Sequence, residues 1–343
     1  ATLLKSAVAA IALNAAFSAP LALPAASQTK DPLKIGVLLP LSGVLGVLGQ
    51  EQVKGMEFAV QQLGGEVAGR KIELFIEDTQ GAPATGLQKA RKLVTANNVD
   101  VMAGVLASPV ALQVAPYFTS IKMPLVISNA SVDSLSGKDC SPYVFRVSYS
   151  SAQVSEPIGR YLAKTNVKSI FMLASDFVAP KEYVAAIKRG YLEGGGKILG
   201  EAYPPFGKTQ DYGPYISQAR NANPDAVVPI FYAAEAILFM KQWASFGLTD
   251  KLPLYSSIGL TPPLLRGAQG DAALNVISSV NYLPELDTPE NNAFKAAYRA
   301  KYGNDPEEFV IMAYDSIRFI VEAVKARNGD TSNREALAKA ISQ

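Results

Sequence analysis

Lys34-Ile35-Gly36-Val37-Leu38-Leu39-Pro40-Leu41-Ser42-Gly43 is the stretch on which the fold turns. Its apolar run, 35–39, is short, unbroken and closed by proline and glycine, as befits a strand buried on both faces. An amphipathic pattern at 50–63 follows, then a second apolar run at 72–77. Strand, helix and strand in this order predict a βαβ unit and a parallel sheet.

Working outward, the alternation continues. Strands are expected at 101–104 and 125–128, with helices at 83–97 and 109–118 between them. Gly64-Gly65, Asn97-Asn98 and Met123-Pro124 supply turns. The pattern then restarts: helix 154–164, strand 169–173, helix 181–193 ended by Gly194-Gly195-Gly196, strand 197–202, helix 212–221, strand 226–230, helix 233–246 and strand 254–257. After 277–282, helices at 289–302 and 308–327 complete it. The expected fold class is α/β, two doubly wound parallel-sheet lobes joined by a hinge. One lobe takes 33–146 plus 283–343, the other 147–282. Crossovers are expected near 145–149 and 280–283.

Composition narrows the function. The 343-residue chain has room for two domains, and its 32 basic and 30 acidic residues form no basic stripe, so no nucleic-acid partner is expected. It contains no histidine, which removes Ser-His-Asp and Cys-His catalysis and His-bearing zinc sites. Its single cysteine, Cys140, has no internal disulfide partner and reads as a lone thiol in a polar loop. No enzyme, no metal and no cofactor are expected.

Lys5 precedes a short apolar run, 7–17, and Ala25-Ala26-Ser27 offers a cleavage site. The run is too short for a transmembrane helix and Pro20 and Pro24 interrupt it, so 1–27 is expected to be a signal peptide leading to the periplasm. With Ala1 in place of methionine, the start of the gene product is expected to lie outside the sequence.

Binding residues are sought beyond the carboxyl ends of the strands, where open α/β sheets hold ligands. The loop 40–49, which contains Ser42, spaces its glycines G-x-x-G-x-x-G and lacks Gly-Lys-Ser/Thr, so it matches neither the dinucleotide nor the P-loop fingerprint. A flexible cleft-lining loop is expected instead. Ala107-Ser108-Pro109 reads as a helix start with Ser108 at the N-cap. A cap needs no ligand, but this one lies at the binding edge and helix N-termini favour anions. Ser128-Asn129-Ala130-Ser131 offers hydroxyl, amide and backbone donors on the next loop. In the second lobe the corresponding edges carry Ser175-Asp176-Phe177, Phe231-Tyr232-Ala233 and Tyr255-Ser256-Ser257. Aromatic residues there either pack beneath loops or wall a cleft.

Those residues, with the Asp78 loop, Pro124-Leu125-Val126-Ile127-Ser128, Asn223-Pro224-Asp225-Ala226-Val227, Asp176 and Tyr314-Asp315, resemble the type I periplasmic solute-binding proteins of ABC transporters, in the branched-chain amino-acid (Leu/Ile/Val) binding family. The resemblance runs from about Leu33 to the end. It implies a cleft that captures a small carboxylate, an inner-membrane permease as partner and a monomer. Carried over, the carboxylate is held by Ser108, Ala130 and Ser131, and Ser42, Ala107, Asn129, Asp176, Phe177, Tyr232, Tyr255 and Ser257 complete the site. Two departures bear on the ligand. The glutamate that pairs with an amino acid's ammonium is missing, since that neighbourhood reads Ser256-Ser257-Ile258-Gly259. The loop cysteines of some members are replaced by Gln80 or Gly81 and by Ala107. Segments 203–208 and 239–243 look closest to members that take aromatic carboxylates, so a benzoate or cinnamate derivative is expected. The alternatives are a branched-chain amino acid as ligand, or the ectodomain of a sensor. Family members also continue past the helix at 334–341 with a third crossover, so a further C-terminal segment is expected.

Overall fold

The computed structural model describes residues 30–343. The leader expected at 1–27 lies outside these residues.

The first half runs β1 (Leu33–Leu39), α1 (Gly46–Gln62), β2 (Glu66–Val67), β3 (Arg70–Asp78), α2 (Pro83–Thr95), β4 (Val101–Gly104), α3 (Ser108–Ser120), β5 (Leu125–Ile127) and β6 (Val144–Arg146). Its strands form one sheet in the order β2-β3-β1-β4-β5-β6. All pairs are parallel except β2 with β3, a hairpin turning through Ala68 and Gly69, both at positive φ. β1 and β4 are buried almost throughout, which is why both read as continuous apolar runs.

The second half runs α4 (Ser151–Ala163), β7 (Ser169–Ala174), α5 (Val178–Glu193), β8 (Lys197–Ala202), α6 (Gly213–Asn221), β9 (Ala226–Ile230), α7 (Ala233–Ser245), β10 (Tyr255–Ser256), α8 (Pro263–Gln269) and β11 (Ile277–Ser278). β8-β7-β9 form a parallel sheet, and a bridge from Val227 to Leu254 leads on to the parallel β10-β11 pair. A capping box, Ser150 with Gln153, starts α4 where the chain enters this half. The chain returns after β11 to α9 (Pro289–Tyr302), α10 (Glu308–Ala326) and α11 (Arg334–Ile341). α9 and α10 pack on the first half: Phe58 of α1 meets Phe294 and Tyr298 edge-on at 5.6 and 5.3 Å.

Glycines set the closest helix crossings. A Cβ on Gly55 of α1 would stand 2.2 Å from the Val310 carbonyl oxygen of α10, and one on Gly159 of α4 would stand 2.2 Å from that of Ile187 on α5. A separate core in the second half gathers Phe231, Phe239 and the fully buried Trp243. Cys140 is exposed in the loop before β6.

Two sequence expectations need correction. The glycine loop is not flexible to residue 49: α1 starts at Gly46 because Gly49 lets it press on the chain leaving β1, where a Cβ would come within 1.8 Å of the Pro40 oxygen. Helix α5 begins three residues early, Pro180 fitting its first turn. β11 spans only Ile277–Ser278, and the residues after it form the return crossover.

Candidate functional site

Each sheet reverses its strand order once in its middle. In the first, β1 and β4 lie side by side while the chain leaves them in opposite directions. In the second, β7 and β9 do the same. Such switch points open a crevice beyond the carboxyl ends of the strands. Here the two crevices face one cavity, with about 390 Å³ of empty space. Larger hollows of about 990 and 970 Å³ lie on α10, beside α9 and α11 respectively, so lining and topology, not size, single out the cleft.

The first half contributes Leu45, Leu48, Leu106, Ala107, Ser108, Asn129 and Ser131; the second contributes Phe177, Ala179, Tyr183 and Tyr232; Tyr149 comes from the crossover and Phe309 from α10. No lining residue carries a formal charge. The backbone bends hard on both sides: Val105 after β4 has φ 64° and Ala233 after Tyr232 has φ 50°. A β-branched residue at such an angle is strained, and strain of this kind gathers at functional loops.

The polar groups are mostly phenols and hydroxyls. Asn129 donates from Nδ2 to Tyr149 Oη at 3.0 Å. Tyr183 faces Ser131, Tyr149 and Tyr232, while Tyr232 Oη is buried without a hydrogen-bond partner. Burial pushes the Tyr183 phenol up to about 12 and raises those of Tyr149 and Tyr232 well above their ordinary value, so all three are neutral donors near neutral pH. Phe177 lies 6.2 Å from Tyr232 between ring centres and packs on Phe206 at 4.5 Å. Gly259 seats Tyr232: at φ 99° it lies against the ring, and a Cβ would come within 2.3 Å of it.

Of the residues singled out from sequence, Ala107, Ser108, Asn129, Ser131, Phe177 and Tyr232 meet in this cavity. Ser108 is not the cap. Ala107 holds that position with extended backbone, Ser108 is the first helical residue, and no side chain caps α3. Ala130 adjoins the cavity residues, but its N–H is taken by the Val105 carbonyl at 3.0 Å and its carbonyl faces Arg146.

The other four lie outside. Ser42 is exposed and donates to Asp78 Oδ2 at 2.6 Å. Asp176 pairs with Lys181 at the surface. Tyr255 packs on Tyr161 at 6.4 Å, and Ser257 accepts from Ser155 at 3.1 Å in a separate hollow. Glu235, on α7, is buried, which raises its carboxyl, and it receives the Ser175 hydroxyl and the Gly207 N–H. Tyr149, Tyr183 and Phe309 were missed. Tyr183 and Ala179, four residues apart, reach the cavity from one face of α5.

Two parallel α/β halves around an uncharged, phenol-lined cavity define a cleft-type binding protein for small molecules. The chain belongs to the periplasmic binding protein family, whose profile matches residues 32–343. It is 29% identical over 324 residues to the Leu/Ile/Val-binding protein homolog 6 of Brucella melitensis, covering 93% of this chain and 81% of that one. A benzoate-bound ABC-transporter solute-binding protein from R. palustris superposes with a TM-score of 0.86 at 28% identity, over 90% of this chain and 85% of that one. One from Rhodopseudomonas palustris BisB5, in complex with 3,4-dihydroxybenzoic acid, gives 0.83 at 30% identity, over 90% and 84%. The fold is that of the type I periplasmic binding proteins, and the chain is a solute-binding protein of the ABC-transporter kind.

Proposed function

We propose that this protein captures a monocyclic aromatic carboxylate in the periplasm and delivers it to an inner-membrane permease. One observation carries the reading: the cavity joins a helix N-terminus and two serines to aromatic walls, with no charged side chain among its lining residues. The carboxylate sits against Ser108, Ser131 and the first turn of α3, where unpaired amides and the helix dipole favour an anion. The ring lies among Phe177, Tyr232 and Tyr183, with Leu45, Leu48 and Leu106 opposite. Aromatic pairs of this kind add about 0.5–1.5 kcal/mol beyond area burial.

An amino acid would bring an ammonium into the same space. Asp176 is engaged at the surface, Glu235 points its carboxyl at Ser175 and Gly207, and Glu308, near the cleft phenols, lines the neighbouring hollow and not this cavity, so none of the three offers a counter-charge within it. A buried ammonium without one costs several kcal/mol. The solved relatives with benzoate and 3,4-dihydroxybenzoic acid support this choice of ligand. The lobes, 33–146 with 283–343 and 147–282, rotate about the two crossovers to admit and enclose it.

Calorimetric titration with benzoate, 4-hydroxycinnamate, phenylalanine and leucine tests the reading. The aromatic acids bind in the micromolar range or tighter and leucine is weaker by a factor on the order of 10³. Tight leucine binding with no response to benzoate would show a branched-chain amino-acid binder instead.

A further inference from the structure

A second hollow, of about 710 Å³, lies where the return crossover passes α8 and the start of α10. Thr261, Ser278, Val280, Tyr282, Glu307 and Glu308 are among its walls. The two glutamates are 4% and 5% exposed, far below what carboxylates ordinarily tolerate without a partner. Glu307 receives the Leu264 N–H on Oε2 at 3.2 Å. Oε1 of Glu307, Oε1 of Glu308 and Oγ of Ser278 are all buried with no hydrogen-bond partner. Arg266, a cation on the same wall, is exposed and donates to the Thr261 carbonyl at 3.1 Å.

We propose that this hinge crevice binds a small alkylammonium ion, whose three N–H donors meet the free oxygens of Glu307, Glu308 and Ser278 while its carbon chain rests on Val280 and the neighbouring prolines. A bare metal ion fits poorly, because the described residues contain no cluster of three or more acidic, cysteine or histidine side chains able to hold one. The alkylammonium hollow adjoins the aromatic cleft without opening on the same lining: Gly259, which seats Tyr232, and Glu308, next to the cleft residue Phe309, form the wall between them. Because one wall is the return crossover itself, an occupant there touches the segment about which the lobes turn.

The cation competes with protons. Burial pushes the Glu307 carboxyl up to about 7 and holds that of Glu308 well above its usual range. The groups facing the pair are Arg266 on α8, Glu51 and Lys54 on α1 (paired at 2.5 Å), Tyr298 on α9, Tyr282 and Glu285 in the crossover, and the phenols of Tyr149, Tyr183 and Tyr232 on the cleft side. An ammonium entering the crevice ionises the carboxyls, and the displaced proton goes to solvent.

Butylammonium and its neutral analogue butanol separate the outcomes by calorimetry on the whole protein, run at about pH 6.5 in two buffers of different ionisation enthalpy. Butylammonium saturates with net proton release, and butanol binds at least about tenfold more weakly. E307Q and E308Q keep the size of the side chain, remain folded by circular dichroism, and each weakens butylammonium binding by about tenfold or more. Equal binding of butanol, undiminished binding by both variants, binding without proton release, or no saturation of the wild type by about 10 mM would each overturn the proposal.

Discussion

Ser151 reaches from the first turn of α4 to Ser131: its N–H donates to the Ser131 carbonyl at 2.7 Å, and its Oγ stands 3.1 Å from both that carbonyl and the Ser131 hydroxyl. The residue that opens the second lobe is thereby tied to a loop of the first that lines the cleft. Ligand contact and lobe orientation share a hydroxyl.

The two proposed anchors therefore part company on mutation. Ser108 caps nothing, so S108A leaves stability within about 0.5 kcal/mol while benzoate affinity falls at least tenfold. A hydrogen bond to a charged group is worth about 1.5–3 kcal/mol. S131A loses comparable affinity and also about 1 kcal/mol of stability through Ser151. Urea denaturation beside calorimetry reads both quantities, and unchanged affinity in both variants would remove the serines from the site.

Gly259 holds Tyr232 in place, and alanine fits there neither in space nor at φ 99°. G259A is expected to lose about 1–3 kcal/mol of stability and to weaken aromatic acids by displacing the ring. An alanine variant that binds benzoate as the wild type does would show that Tyr232 is not a wall of the site.

Stability should respond to pH at both ends. Glu307 has a folded value raised to about 7 from 4.5, so its stabilising protonated form is fully present below about 4.5 and the contribution is lost as pH rises through about 7. E307Q flattens that decline, which thermal melts between about pH 5 and 8 will show. Tyr183, raised to about 12, acts likewise: its contribution holds below about 10 and disappears as pH climbs toward 12. Y183F should lack that alkaline decline, its melting temperature changing less than that of the wild type as pH rises from about 10 toward 12.

Lobe rotation is measurable directly. Small-angle scattering with and without saturating benzoate is expected to show a smaller radius of gyration with ligand, and an identical radius would count against a hinged capture.

The order of strands and helices was legible because each buried strand is an apolar run between turns. What escaped were elements whose signals are tertiary. The short β2 pairs through an Ala68-Gly69 turn, which lacks the usual Asn-Gly mark. α1 begins among glycines that read as loop until the close approach to Pro40 is seen. In the site, loop residues such as Ser108, Ser131 and Phe177 follow from the sheet-edge rule. Tyr149 and Phe309 do not, since a crossover and a helix start on the far side of the chain bring them in. Ser42, Asp176 and Tyr255 occupy the right edge but turn toward partners of their own.

The sequence holds one tryptophan and one cysteine, and the fold puts them on different halves. Trp243 is sealed in the second core, remote from solvent, while Cys140 stands exposed on the first. A dye attached through that thiol would accept excitation energy from the indole, so each molecule already carries a donor and a labelling point for an optical ruler across its hinge.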